Sequence, residues 1–274
     1  MVEKSPVEPE GRARDDWIRL DPLAASPAEV EVWRIDPTRT DLGRYRALLG
    51  PEDDLRAEAI RSPVAREAFV ATRGLLRSRL GDLLGSDPAS LVFRVGPHGK
   101  PTLEAAPRDS RLRFNVSHCS GCGLAAIASG RDVGVDVEIG DDRRGCDAIA
   151  RRYFSSRENA ELGRLDESLR VPAFFRIWTR KEAYVKARGE GIRMGFSTFD
   201  VSADAARARL IETRGEPEAA GAWSLVALDP GEGFFGALCY GRAEGRHAGA
   251  VEGEDVEPEV RLSETARAED CGRG

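Results

Sequence analysis

An α+β fold is what the 274-residue chain predicts, on two patterns. Each half of the sequence holds several short stretches with the two-residue alternation of half-buried strands, and each half also holds one long helical stretch. Strands and a long helix in both halves imply α+β packing. The 41% hydrophobic content suffices for a proper core, and the length allows one large domain or two small ones.

Residues 1–25 mix Pro, Glu and Arg with the single aromatic Trp17 and read as a disordered leader. Residues 30–35 follow as a strand, and residues 37–61 as helical segments broken near Gly50-Pro51. Ser62-Pro63 is an N-cap followed by proline at the first helical position, opening a long helix to about Leu80. Val64, Ala68, Ala71 and Leu75 give its buried face, widened by Phe69, Leu76 and Leu80. Arg66, Arg73 and Arg77 project together on the other side, as a solvated row or as a set of bidentate phosphate donors. Residues 91–95 read as a strand, and Gly96-Pro97-His98-Gly99-Lys100-Pro101 as a turn with Lys100 facing solvent at its tip. In Arg111-Leu112-Arg113-Phe114-Asn115-Val116-Ser117 the alternation sends Leu112, Phe114 and Val116 inward and puts Asn115 and Ser117 on the opposite face. His118 ends that strand beside a glycine-bearing turn, a place where backbone and side-chain donors suit a phosphate, although a lone histidine is more often structural. Residues 124–128 return as its hairpin partner.

The second half opens on Val133-Gly134-Val135-Asp136-Val137-Glu138-Ile139. Valine and isoleucine alternate with Gly134, Asp136 and Glu138, so the two carboxylates share a strand face with Cα atoms roughly 7 Å apart. That spacing lets both reach one hard cation, and the alternative is an acidic solvated face. Asp141-Asp142-Arg143-Arg144 is a charged turn, and a helix starts at residues 148–152. In Phe154-Ser155-Ser156-Arg157-Glu158 the serine can cap a following helix while Glu158 closes a capping box. Residues 172–188 then read as a helix, with Pro172 at its first position and Gly189 at its C-cap. Phe174, Ile177, Trp178, Tyr184 and Val185 form its apolar stripe, and Arg176, Thr179, Arg180, Ala183 and Ala187 take the opposite side. Glu182 and Lys186 border the stripe, either as a surface ion pair or as part of a site for metal and phosphate. Lys181 falls within the stripe, where its charge must reach water or meet an anion. Residues 196–201, 223–228 and 234–240 read as strands. From Ala243 to Gly274 there is no aromatic residue, and the composition is that of a disordered acidic tail.

Several classes are disfavoured. No apolar run is long enough to span a membrane and the first 25 residues lack a signal peptide's apolar stretch, so a cytoplasmic protein is expected. A net charge of −6 argues against general nucleic-acid binding. Cys119-Ser120-Gly121-Cys122 has no second pair at zinc spacing and reads as a turn.

Four ordered motifs now carry a resemblance: Gly99-Lys100-Pro101, Phe114-Asn115-Val116-Ser117-His118, Gly134-Val135-Asp136-Val137-Glu138, and Trp178-Thr179-Arg180-Lys181-Glu182-Ala183-Tyr184-Val185-Lys186. Together they resemble the 4'-phosphopantetheinyl transferases of the surfactin-synthetase-activating type, over about residues 28–242. The resemblance implies a pseudo-dimer of two similar α+β halves, residues 26–131 and 132–242, with the substrate cleft between them. It implies coenzyme A as substrate, held by Arg73, Lys100, Asn115, Ser117, His118, Lys181 and Lys186. It also implies a magnesium ion, or manganese in its place, on Asp136, Glu138 and Glu182, and a monomer that acts on acyl or peptidyl carrier proteins. Catalytic duty falls to Glu182 and Lys186, with Glu158 as the rival base.

The chemistry fits those parts. The pyrophosphate of coenzyme A repels a nucleophile, so transfer needs a cation on the phosphates and a base for the attacking hydroxyl. Two readings of other classes remain open, a different magnesium-dependent phosphotransferase and a non-catalytic coenzyme A binding module. The first would lack a Walker-type glycine loop here, and the second would be expected to have lost a metal carboxylate, whereas all three are present.

Overall fold

The computed structural model describes residues 17–20, 30–96, 99–104, 111–141 and 145–242, apart from the side chains of residues 192 and 193. Leader residues 1–16, the tail from residue 243, and Arg143 and Arg144 lie outside the described residues.

In the first half, β1 (Trp17–Leu20), β2 (Val30–Ile35), β5 (Leu112–Cys119) and β6 (Cys122–Ser129) make an antiparallel sheet of order β1-β2-β6-β5. β1 lies inside the stretch expected to be a leader. Trp17 gives the reason, because its ring packs edge-on against Trp33 with centroids 4.6 Å apart, and that burial outweighs the polar composition around it. Short helices α1 (Leu42–Arg46) and α2 (Pro51–Ala59) precede α3 (Pro63–Leu84), with Gly50 as the N-cap before Pro51. Ser62 Oγ accepts from the Ala65 N–H at 3.3 Å, and Gly85 closes the helix in the left-handed region at φ 62°. β3 (Phe93–Val95) and β4 (Pro101–Leu103) form a separate hairpin that carries Lys100. Ser120-Gly121 is the two-residue turn between β5 and β6, with Gly121 at φ 81° and Cys119 opposite Cys122 across it.

The second half builds an antiparallel sheet of order β10-β11-β7 from β7 (Val133–Ile139), β10 (Trp223–Leu228) and β11 (Phe234–Gly241). On it lies α6 (Glu167–Arg188), preceded by α4 (Cys146–Tyr153) and α5 (Ser156–Gly163). A small hairpin of β8 (Phe199–Val201) and β9 (Leu210–Thr213) packs at its side, and a one-turn α7 (Ala219–Ala222) leads into β10. Residues 196–198, expected as strand, form a 3-10 turn instead. The α+β expectation holds.

The layers stack as helix, sheet, sheet, helix. Leu75, Leu76, Leu80, Ile35, Phe114 and Ile127 fill the space between α3 and its sheet. Val32, Leu124, Ala126, Val135, Val137 and Leu238 fill the space between the sheets. Phe174, Ile177, Tyr184, Phe199 and Cys239 belong to the third core, around α6.

Two features of α6 differ from expectation. It begins at Glu167, so Pro172 lies inside it rather than at its first position. The carbonyl that Pro172 cannot serve belongs to exposed Ser168, where water can satisfy it, so the interruption costs less than in a buried turn. The side of α6 opposite the apolar stripe is also buried. Thr179, Arg180, Ala183 and Ala187 are each 1% exposed or less. A Cβ built on Gly134 of β7 would come within 2.2 Å of the Ala183 carbonyl oxygen and 2.3 Å of the Ala187 nitrogen. The small residues of α6 and the missing side chain at Gly134 bring helix backbone onto strand backbone, which no amphipathic wheel can register.

Candidate active site

The close approach at Gly134 sets the last turns of α6 over the acidic face of β7. Asp136 and Glu138 are 3% and 4% exposed, so the solvated-face alternative fails. Lys186 Nζ donates to Asp136 Oδ1 at 2.6 Å. It also donates to Ser117 Oγ at 3.1 Å and lies 3.4 Å from the Val135 carbonyl oxygen. Burial by itself would lower the Lys186 pKa, but Asp136 foremost, then Glu182 and Glu138, outweigh it and raise the value. The ammonium therefore stands in the field of all three expected metal carboxylates.

β5 supplies the second wall, through side chains in place of a backbone ladder. Asn115 Oδ1 accepts from the Val135 N–H at 2.9 Å, and Ser117 Oγ from the Val137 N–H at 3.4 Å. Ser117 in turn donates to Asp136 Oδ1 at 2.8 Å. With one proton given and both lone pairs taken, its hydroxyl is fully used within the protein. His118, the next residue, is half-buried with its ring 6.3 Å from Phe69 and edge-on to it. Phe69 precedes Arg73 by one turn of α3, which puts Arg73 and His118 on the same side of that helix.

Asp136 Oδ2 is the exception in this network, being buried and without a hydrogen-bond partner. An orphaned carboxylate oxygen is costly unless a cation completes it, and an all-oxygen donor set suits a hard divalent ion. The residues fit such an ion, although among the described residues no three His, Cys, Asp or Glu side chains are grouped as a ready metal cage. The Lys186 ammonium supplies the positive charge at that place.

Other expected site residues are held elsewhere. Lys181 is fully buried, and its three protons go to Glu158 Oε1 at 2.8 Å and to the Phe196 and Phe199 carbonyls at 2.6 Å each. Glu158 is equally buried, accepting from the Ser155 N–H at 3.0 Å and the Val201 N–H at 2.8 Å, and the capping box is complete. Burial, the largest influence, pushes the pKa of Glu158 up and that of Lys181 down, and their mutual pairing opposes both shifts. The expected catalytic role of Glu158 and the expected pyrophosphate contact of Lys181 are corrected on this ground, because both side chains are enclosed by protein and Lys181 has no proton left to offer a ligand. The arginine row is not solvated either. Arg73 Nε and Arg77 Nε share the buried Asp53 carboxylate at 2.9 and 2.6 Å, and both guanidinium groups lie over the Phe93 ring. Asp53, 20 residues from Arg73, carried no local signal. Lys100, expected at an exposed tip, turns inward and donates to the Val133 and Ala187 carbonyls at 3.1 and 2.9 Å.

Fold and site thus define an α+β protein whose centre joins buried carboxylates to a lysine, a set of groups suited to a hard cation and an anionic substrate. Residues 132–239 match the model of the 4'-phosphopantetheinyl transferase superfamily. The chain is 34% identical to the 4'-phosphopantetheinyl transferase HetI of Nostoc sp. over 225 residues, covering 81% of this chain and 92% of HetI. It is 31% identical to a 4'-phosphopantetheinyl transferase of Bacillus subtilis over 127 residues, 46% of this chain and 54% of that one. To AcpT of Escherichia coli K12 it is 38% identical over 136 residues, 49% of this chain and 64% of AcpT. The chain belongs to the 4'-phosphopantetheinyl transferase superfamily and is an enzyme of that class.

Proposed function

We propose that this chain transfers the 4'-phosphopantetheine group of coenzyme A to a serine of an apo acyl or peptidyl carrier protein, releasing 3',5'-ADP. The observation that carries this reading is the orphaned Asp136 Oδ2 in a centre where Asp136, Glu138 and Glu182 all act on Lys186. Asp136, Glu138 and Glu182 would hold magnesium, or manganese in its place. When bound, such an ion neutralises pyrophosphate charge and orients its oxygens. The four motifs favour the surfactin-synthetase-activating kind of transferase within the superfamily.

The protein's own groups do the rest. Lys186 stabilises charge gathering on the pyrophosphate. His118 and Arg73, on the same side of α3, are the side chains to bind the remaining phosphate, as point and bidentate donors. Ser117 and Asn115 hold β7 in place and fix the orientation of Asp136. The carrier serine oxygen attacks the phosphorus bearing the pantetheine, a new O–P bond forms, and the bond from that phosphorus to the 3',5'-ADP oxygen breaks. Glu182, half-buried at the edge of this centre, is the carboxylate to take the serine proton.

The test is direct. The protein is incubated with coenzyme A, magnesium and an apo carrier protein, and the carrier is weighed by mass spectrometry with 3',5'-ADP assayed in parallel. The reading expects one phosphopantetheine per carrier, 3',5'-ADP in equal amount, and loss of both on chelation. An unchanged carrier mass would contradict it.

A further inference from the structure

We infer that Lys100 is a positioning residue that sets the last turn of α6, and with it Lys186, against the start of β7. This rests on the functional reading above and adds to it a residue whose ammonium is directed at the protein rather than at the substrate.

The geometry has three parts. Lys100 sits between β3 and β4 in the first half, yet its ammonium crosses to the second half and joins two elements there, accepted by the Ala187 carbonyl of α6 and the Val133 carbonyl of β7. Ala187 adjoins Lys186, and its carbonyl is among the last four of the helix, which have no partner within the helix. A cation at that end also meets the negative pole of the helix. Gly189, the left-handed C-cap at φ 71°, leaves the passage open, since a Cβ there would stand 3.3 Å from Lys100 Cδ. Gly134 then allows the turn so held to rest on β7. Without the ammonium, the Ala187 carbonyl loses this donor, and the turn carrying Lys186 is left to the Lys186–Asp136 pair and the Gly134 contact for its placement on the strand carrying Asp136.

Burial depresses the Lys100 pKa to about 8, against the opposing pull of Asp132, which agrees with an ammonium enclosed by protein. A lysine meant chiefly to grip a solvated phosphate would face the solvent.

The test uses the full chain with Lys100→Met, which keeps the stem and removes the charge, and Lys100→Arg, which can still donate to both carbonyls. Coenzyme A affinity is measured by calorimetry, and turnover by carrier mass at varied coenzyme A. The expected result for Lys100→Met is a kcat lower by about tenfold or more, as for a misplaced catalytic group, with Kd and KM for coenzyme A within about twofold of the parent. Lys100→Arg should recover most of the rate. In a double-mutant cycle, adding Lys100→Met to Lys186→Ala should cost nothing further, because the first acts through the second. If Lys100→Met does not fold, Lys100→Gln, a neutral donor on a shorter stem, takes its place with the same expectations at smaller amplitude. A weakened affinity for coenzyme A, or full additivity in the cycle, would overturn the inference while leaving the functional reading intact. A parent enzyme that transfers nothing would sink both.

Discussion

Glu158 and Lys181 meet at 2.8 Å in a site where neither side chain is more than 1% exposed. The pair joins α5 and α6 to β8, because Glu158 also accepts from Val201 and Lys181 also donates to Phe199. Removing one partner strands a buried charge, which typically costs about 3–5 kcal/mol.

Glu158→Gln is therefore expected to lower the midpoint of chemical denaturation substantially, while the fraction that remains folded keeps the parental kcat. Turnover measured well below the denaturation midpoint separates the two effects. A folded Glu158→Gln variant with kcat reduced by orders of magnitude would return Glu158 to catalysis.

Lys100 makes stability depend on pH in a defined window. Its folded pKa of about 8 lies below the ordinary lysine value of 10.5, so the unfolded chain holds the proton more tightly between them. Where the unfolded state binds more protons, stability rises with pH. Lys100 should thus contribute a gain in unfolding free energy as pH climbs from about 8 to about 10.5, and nothing further below 8. Denaturation curves of the parent and Lys100→Met across that range should diverge in slope. Parallel curves would show that the ammonium is not enclosed.

How much of this was legible in the sequence varies with the kind of contact involved. β7 and the start of α3 were readable because alternation and a Ser-Pro cap are local signals. The facing of Asp136 and Glu138 followed from strand geometry. Lys181 was marked by its place in an apolar stripe, where a charge must find an anion, but the wheel could not say that the anion is Glu158. The burial of the side of α6 opposite its apolar stripe was not legible, because Ala183 and Ala187 are small for the sake of a close approach to Gly134, a residue distant in sequence. Arg73 and Arg77 looked like a surface row because Asp53, which neutralises both, stands at a distance in sequence. Trp17 was lost in a polar stretch because its partner Trp33 lies on another strand.

On the proposed function, the surface that meets the carrier is expected to be basic, to suit the usually acidic carrier proteins. Arg151 and Arg152 are exposed in the last turn of α4, in the connection that follows β7. Reversing both to Glu should raise the apparent KM for the carrier while the affinity for coenzyme A stays nearly constant, with a smaller effect at higher salt. Carrier kinetics unchanged at both low and moderate salt would remove α4 from the docking surface.

On the proposed function, the Asp136 carboxylate is expected to organise the transfer site. Its most direct test is the initial rate at which Asp136→Ala converts an apo carrier to its phosphopantetheinylated form, followed by mass spectrometry with saturating coenzyme A and magnesium, in a variant shown by circular dichroism to be folded. The expected rate is about 100-fold or more below the parent, because both the orphaned Oδ2 and the anchor of Lys186 are gone. A folded Asp136→Ala enzyme that modifies the carrier at the parental rate would contradict it.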